Sequence, residues 1–487
     1  MKFDPMSTQS PLRQLPGVLV IAGVIGLTAC AQMGEVAVLK EMRSASTVGL
    51  PRASSHDAMV GSTWWSNFGD AQLNALVDKA LAANPSLQVA AARVARAESA
   101  ALGAGAAVQP QLNAALDLTH QQYTANGAVP APLAGSIRDT GTAQLSASWE
   151  IDFFGKNRAM LASALGQVRV AQAESEAARV LLASQVAHAY FQIARLNDQL
   201  GVARRTLAQR EHSLALVRDR VAAGLDTRLE LRQSEGGLPE ARLQIETLGE
   251  QLALARLALA ALVGEPSQAM VLADASILTT HSVAPASTIP SDLLGRRADI
   301  SAARWRVEAA SQDVGNAQAQ FYPNINLVAF AGLSSIGLDR LVNAGSEQWG
   351  VGPALRLPLF DGGRLRANLK GRQADLDGAI GSYNAAVIDA VREVAGLLAS
   401  LQAISRQQTE QQAALALSEE AYSIAMQRYE AGLSNYLSVL ATEAAVLNQR
   451  RQGVDLSARV IDTQVSLMRA LGGGYRAELP AALAQKN

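Results

Sequence analysis

The 487-residue chain carries the same signposts twice, in the same order and at nearly one spacing. Arg220-Val-Ala-Ala-Gly224-Leu225 returns as Arg428-Tyr-Glu-Ala-Gly432-Leu433, and Ala261-Leu-Val-Gly264 as Arg469-Ala-Leu-Gly472, each 208 residues later. Trp149-Glu-Ile-Asp-Phe-Phe154 lines up with Leu355-Arg-Leu-Pro-Leu-Phe360 at 206, and Gln109-Pro110 with Tyr322-Pro323 at 213. Such ordered self-similarity marks a tandem duplication, so one half's architecture must also serve the other. The chain divides into a leader at 1–29, an N-terminal segment at 30–70, a first repeat at 71–266, a joint at 267–295, a second repeat at 296–474 and a tail at 475–487.

Each repeat opens with an Ala-rich helical stretch, Gln72–Val108 or Ala298–Phe321, that ends next to a proline. A strand pair follows, predicted at about 111–120 and 142–154 in the first half and 324–334 and 348–360 in the second. Ala143, Leu145, Ala147, Trp149, Ile151 and Phe153 alternate there with Gln144, Ser146, Ser148, Glu150 and Asp152. Period-2 alternation over about eleven residues matches a tilted membrane strand. Pro353 and Pro358 are awkward inside the last of these. Turn-rich segments, Thr124–Asp139 and Ser334–Glu347, link the strands as loops.

After each strand pair comes a very long helical pattern, Asn157–Ala222 and Gly363–Ala431. At 1.5 Å per residue each would reach roughly 100 Å. A Gly-Leu turn then reverses the chain into a return helix, Asp226–Leu262 or Ser434–Leu471. Helices of this kind need lateral, coiled-coil-like partners. Gly236-Gly237-Leu238-Pro239 is expected to bend or break the first return helix, whereas the matching Ala444–Leu447 carries no breaker.

Composition bears on function mainly by exclusion. Net charge is −1, giving no electrostatic case for nucleic acid. The five histidines (His56, His120, His188, His212 and His281) lack ligand spacing, and neither a Walker sequence nor Gly-x-Ser-x-Gly occurs, so no catalytic, cofactor or metal residues are assigned. The one cysteine, Cys30, follows Leu27-Thr28-Ala29 at the end of a short apolar run preceded by Lys2 and Arg13. That pattern is an export leader, and its last residues resemble a bacterial lipobox, implying a lipidated N-terminus at Cys30.

Together these residues resemble the TolC-like outer-membrane efflux proteins, in the lipoprotein branch serving resistance-nodulation-division-type tripartite pumps. The resemblance rests on Trp149–Lys156, on Pro290-Ser-Asp-Leu-Leu-Gly-Arg-Arg-Ala-Asp-Ile300, on Gly352–Arg364 and on Trp64-Trp65-Ser-Asn-Phe-Gly-Asp70. Ala298 stands where the family usually has proline. The implied fold is mainly α with a transmembrane β part. Four strands cannot close a barrel and an open edge is not viable in lipid, so several chains are needed. The resemblance implies a homotrimer, with a 12-stranded outer-membrane barrel continuous with a 12-helix periplasmic barrel.

The function so implied is a passive exit duct for drugs, toxic organic compounds or metal ions. Its partners would be a periplasmic membrane-fusion adaptor, an inner-membrane pump and outer-membrane lipid. The adaptor would dock on the turns Gly224-Leu225 and Gly432-Leu433. The resting duct is expected to close there by an apolar ring through Leu437 and Ala441, with Asp226 and Arg228 as an ionic rival. Trp149 and Trp349, taken as matching points of the duplicated strands, are expected at the membrane interface. The alternative is a trimeric periplasmic structural or adhesive lipoprotein without a pore, which leaves the two alternating strand pairs unexplained.

Overall fold

The computed structural model describes residues 40–44, 47, 60–265, 272–273, 275–281 and 293–475. The leader, Cys30, most of the joint and residues 476–487 lie outside them. The elements run α1 (Ala71–Ala83), α2 (Pro85–Ala106), β1 (Gln111–Gln122), β2 (Ile137–Ile151), α3 (Lys156–Ala222), α4 (Arg228–Val263), α5 (Ala298–Ala319), β3 (Asn324–Ile336), β4 (Glu347–Arg356), α6 (Arg364–Glu430) and α7 (Tyr436–Ala470). The duplication is visible in their lengths. Helices α3 and α6 each have 67 residues, α2 and α5 each 22, and α4 and α7 have 36 and 35. The first helical stretch is two helices rather than one, because Pro85 lacks the N–H to continue α1 and instead starts α2.

The chain forms two compact units. One contains residues 95–169 and 304–382, and with them the sheet. Its strands lie in the order β1-β2-β3-β4, all neighbours antiparallel. The register fixes what each face carries. Leu116, Ala143 and Leu333 align across three strands, as do Ala114, Leu145, Ala331 and Trp349 across four, and Leu327 aligns with Trp149 and Pro353. Through the middle of the sheet that face is apolar, giving way at one end to Glu347 opposite Leu333 and to the His120–Asp139 pair, and Leu112, Leu116, Leu118, Leu145, Trp349, Val351 and Leu355 on it are exposed. The opposite face carries Asn113, Asp117, Gln144, Ser146, Glu150, Asn326 and Gln348. Twelve residues of β1 span about 40 Å along the strand, or about 30 Å when tilted, enough for a hydrocarbon band of about 25 Å.

Three sequence expectations need correction here. Strand β2 begins at Ile137 and ends at Ile151, while β4 stops at Arg356, two residues before Pro358. Pro353 stays within β4, the last strand of this chain's sheet, opposite Leu327. Trp149 and Trp349 are not at matching points: Trp149 is level with Leu327, and Trp349 with Ala331. Those four positions put the two indoles about 13 Å apart along the strands. Trp349 is 78% exposed, whereas Trp149 is 41% exposed and donates Nε1 to the Val108 carbonyl at 3.1 Å.

The second unit, residues 42–94, 170–303 and 383–487, holds the main core. Trp64, Trp65, Phe68, Leu73 and Val77 pack with Val186, Tyr190, Phe191, Ile193, Leu259 and Val465. Phe68 meets Phe191 edge-on at 5.1 Å. Asp70 caps α1 by accepting from the backbone of Gln72 and Leu73 and also accepts the Tyr190 hydroxyl at 2.5 Å, which explains the Trp64–Asp70 motif. Arg297 forks onto Asp299 at 2.8 and 3.0 Å and reaches Glu393 at 2.8 Å, pinning the start of α5 to α6. Ala298 is the first residue of α5, a position that proline also fits. His188 joins α3 to α7, its Nδ1 lying 2.5 Å from Asp462.

Helix α4 does not break at Gly236–Pro239. It is helical from Arg228 to Val263 with Pro239 inside it. Relative to alanine, two glycines and a proline cost about 5 kcal/mol in a helix interior, so tertiary contacts must hold this stretch.

Candidate functional site: the hairpin tips

The chain reverses twice in the second unit, between α3 and α4 and between α6 and α7. Both turns use one device. Gly224 and Gly432 have φ of 73° and 75°, a left-handed conformation glycine adopts without strain. The Leu225 N–H donates to the Arg220 carbonyl (2.9 Å) and Gly224 to Val221 (3.0 Å); Leu433 donates to Arg428 (2.8 Å) and Gly432 to Tyr429 (2.9 Å). This is the Schellman pattern, which satisfies carbonyls left open at a helix end. The following helices are capped by Thr227 and Asn435. Thr227 forms a reciprocal capping box with Glu230, and hydrogen bonding from Thr227 holds the Glu230 carboxyl below its ordinary range.

What the tips present outward is apolar. Leu225 is 65% exposed and Leu433 69%; Leu229 and Leu437, one turn further on, are 62% and 60% exposed. Leu229 and Leu437 are repeat mates at the 208-residue offset. Leu229 was missed by sequence reasoning, although that offset points to it. Ala441 is also exposed, one turn along from Leu437.

The charges behave differently. Arg228 is exposed, but Asp226 is turned inward, its side chain only 9% exposed and paired with Arg220 at 3.1 Å. Asp226 also accepts the Tyr429 hydroxyl from the other hairpin. Arg220 stacks over the Tyr429 ring at 4.6 Å and donates to the Glu430 carbonyl at 3.1 Å. Burial, reinforced by the Asp226 carboxylate, pushes the Tyr429 phenol well above its ordinary range. Tyr429 packs with Val217, Tyr436 and Val439 beneath this clasp. Asp226 is therefore a bond between the two tips of one chain rather than a free charge at the mouth. Glu443 likewise points inward, buried against Arg210 at 3.3 Å.

Residues 76–265 and 289–473 match the outer membrane efflux protein family. The chain belongs to that family. It is 31% identical to the putative multidrug resistance outer membrane protein MdtQ of Escherichia coli K12, over 95% of this chain and 98% of that protein. It is 33% identical to the pyoverdine export outer membrane protein OpmQ of Pseudomonas aeruginosa, over 88% of this chain and 90% of that one. Among solved structures, the outer membrane protein VceC of Vibrio cholerae superposes with a TM-score of 0.80 at 37% identity, covering 85% of this chain and all of VceC. The CusC transmembrane channel gives 0.80 at 28% identity, covering 90% of this chain and all of CusC. As a member of this family, the chain is an efflux-pump exit duct of the outer membrane, with the family's mainly α fold and transmembrane β part. The family is one of transport channels.

Proposed function

We propose that three copies of the chain close the sheet into a 12-stranded barrel, with the long helices continuing it as a periplasmic tube. The supporting observation is the apolar band across the middle of one sheet face, between edges that pair with no other strand among the described residues: lipid suits the band, and only other strands suit the edges. Two copies would give eight strands with a filled interior, whereas three leave room for a lumen. The polar face, with Gln144, Ser146, Glu150 and Gln348, then lines that lumen. Because the relatives are named for multidrug resistance and pyoverdine export, small organic molecules are the proposed cargo.

The tips would meet a periplasmic adaptor fed by an inner-membrane pump, with Leu225 and Leu433 as apolar knobs presented by Gly224 and Gly432. At rest the mouth would be closed by a threefold ring of Leu437, backed by Ala441. The inward commitment of Asp226 favours this apolar ring over an ionic latch. Cys30 would carry the lipid anchor. The backbone N–H of Lys40 lies 3.5 Å from Asp377 Oδ1, and Asp377 is thirteen residues into α6, about 20 Å from its start. The ten residues back to Cys30 span up to about 35 Å, enough to reach the membrane level where α6 begins.

Leu225→Asp with Leu433→Asp should abolish export in cells while barrel insertion and oligomer formation persist. Full export by that double variant would overturn the docking role.

A further inference from the structure

Gly236-Gly237-Leu238-Pro239 is the weakest helical stretch of either hairpin, yet α4 runs through it. Pro239 offers no N–H to the Glu235 carbonyl, and its ring crowds that oxygen. What lies beside it is Arg210 of α3. Its Nη1 donates to the Gly237 carbonyl at 2.7 Å and lies 3.4 Å from Glu240. Its Nε reaches Glu443 of α7 at 3.3 Å. The approach is close: a Cβ on Gly237 would stand 3.4 Å from the Arg210 Cδ. Glu443 is buried, and burial pushes its carboxyl up while Arg210 opposes that shift. One arginine therefore ties three helices together at the level of the weak stretch. The second hairpin has neither part: the counterpart of Arg210 is Ser418, and the counterparts of Gly236–Pro239 are Ala444–Leu447.

We propose that Gly236–Pro239 is a hinge built into the first hairpin alone, held in its helical form by the Arg210–Glu443 clamp. Freed of the clamp, the tip from Leu225 to Glu235 bends away from the second tip while α7 stays straight. Hinges are short stretches that absorb backbone rotation, and two glycines with a proline supply one. The clamp suits a two-position device, because a buried ion pair that loses one partner leaves the other uncompensated. This inference rests on the hairpin geometry and not on the docking or gating roles, so it fails or survives apart from them.

The test uses the full chain with spin labels at Leu229→Cys, within the moving segment, and Ala431→Cys beside the other tip, both exposed. Labelled protein is diluted with unlabelled chains, so that only within-chain distances are read. Tyr429→Phe is the common background, which removes the Tyr429–Asp226 bond across the tips. Adding Glu443→Gln should shift the distance distribution to longer, broader values. Adding Gly236→Ala and Pro239→Ala to that chain should restore the narrow one. A distribution unmoved by Glu443→Gln overturns the clamp, and broadening that survives the straightened helix overturns the hinge. If Glu443→Gln does not fold, Arg210→Lys, which keeps the charge and loses the fork, is read by the same two criteria.

Discussion

Replacing Tyr429 with phenylalanine removes one oxygen from the point where the hairpin tips of a single chain meet. The ring is almost fully buried and phenylalanine keeps its shape, so packing on Val217, Tyr436 and Val439 should survive. What is lost is the hydroxyl's bond to the Asp226 carboxylate. A hydrogen bond to a charged group contributes about 1.5–3 kcal/mol. Asp226 keeps its Arg220 partner at 3.1 Å, which argues for the middle of that range, about 2 kcal/mol. At about 1.4 kcal/mol per tenfold change, local opening of the tips should become roughly 30-fold more populated. Hydrogen exchange with residue-level readout should show that acceleration at 220–232 and 428–438, with unchanged protection around Val186–Ile193 in the main core. Equal acceleration in both regions would mean that the substitution weakens the whole fold. No acceleration at the tips would mean that Asp226 and Tyr429 do not hold them together.

Two further predictions address separate parts of the duct. Leu437→Ala should raise basal conductance in planar bilayers more than Asp226→Ala or Arg228→Ala, because an apolar constriction gates by dewetting; the reverse order would establish an ionic gate. Cys30→Ser should abolish incorporation of labelled acyl chains, and normal labelling of that variant would refute lipidation at Cys30.

The parts of the fold that were legible in the sequence are those set by local pattern. Alternation placed β1, β3 and the middle of β2 because every second residue faces lipid or lumen, but it put both ends of β2 several residues too late. The long helices were bounded correctly to within a residue or two because glycine-bearing turns flank them and their partners recur at one offset. Pro85 was read through because the Ala-rich pattern continues on both sides of it. Pro239 misled for the opposite reason, since its local penalty is real but Arg210, 29 residues earlier in sequence, offsets it. The tip clasp was invisible because Asp226 and Tyr429 lie 203 residues apart and nothing in the local pattern of either points to the other. Asp226 read as a mouth charge for the same reason: sequence shows that a carboxylate is present, while only packing shows that it points inward. The heights of Trp149 and Trp349 depended on strand register, which alternation alone leaves free by any even number of residues.

Single-channel recording of the purified full-length protein in a planar bilayer tests the central claim most directly. A threefold barrel with a continuous lumen should give discrete unitary current steps of uniform size, brief in the wild type and sustained in Leu437→Ala. Flat traces from both proteins, with membrane insertion verified, would contradict a duct and leave a periplasmic structural lipoprotein in its place.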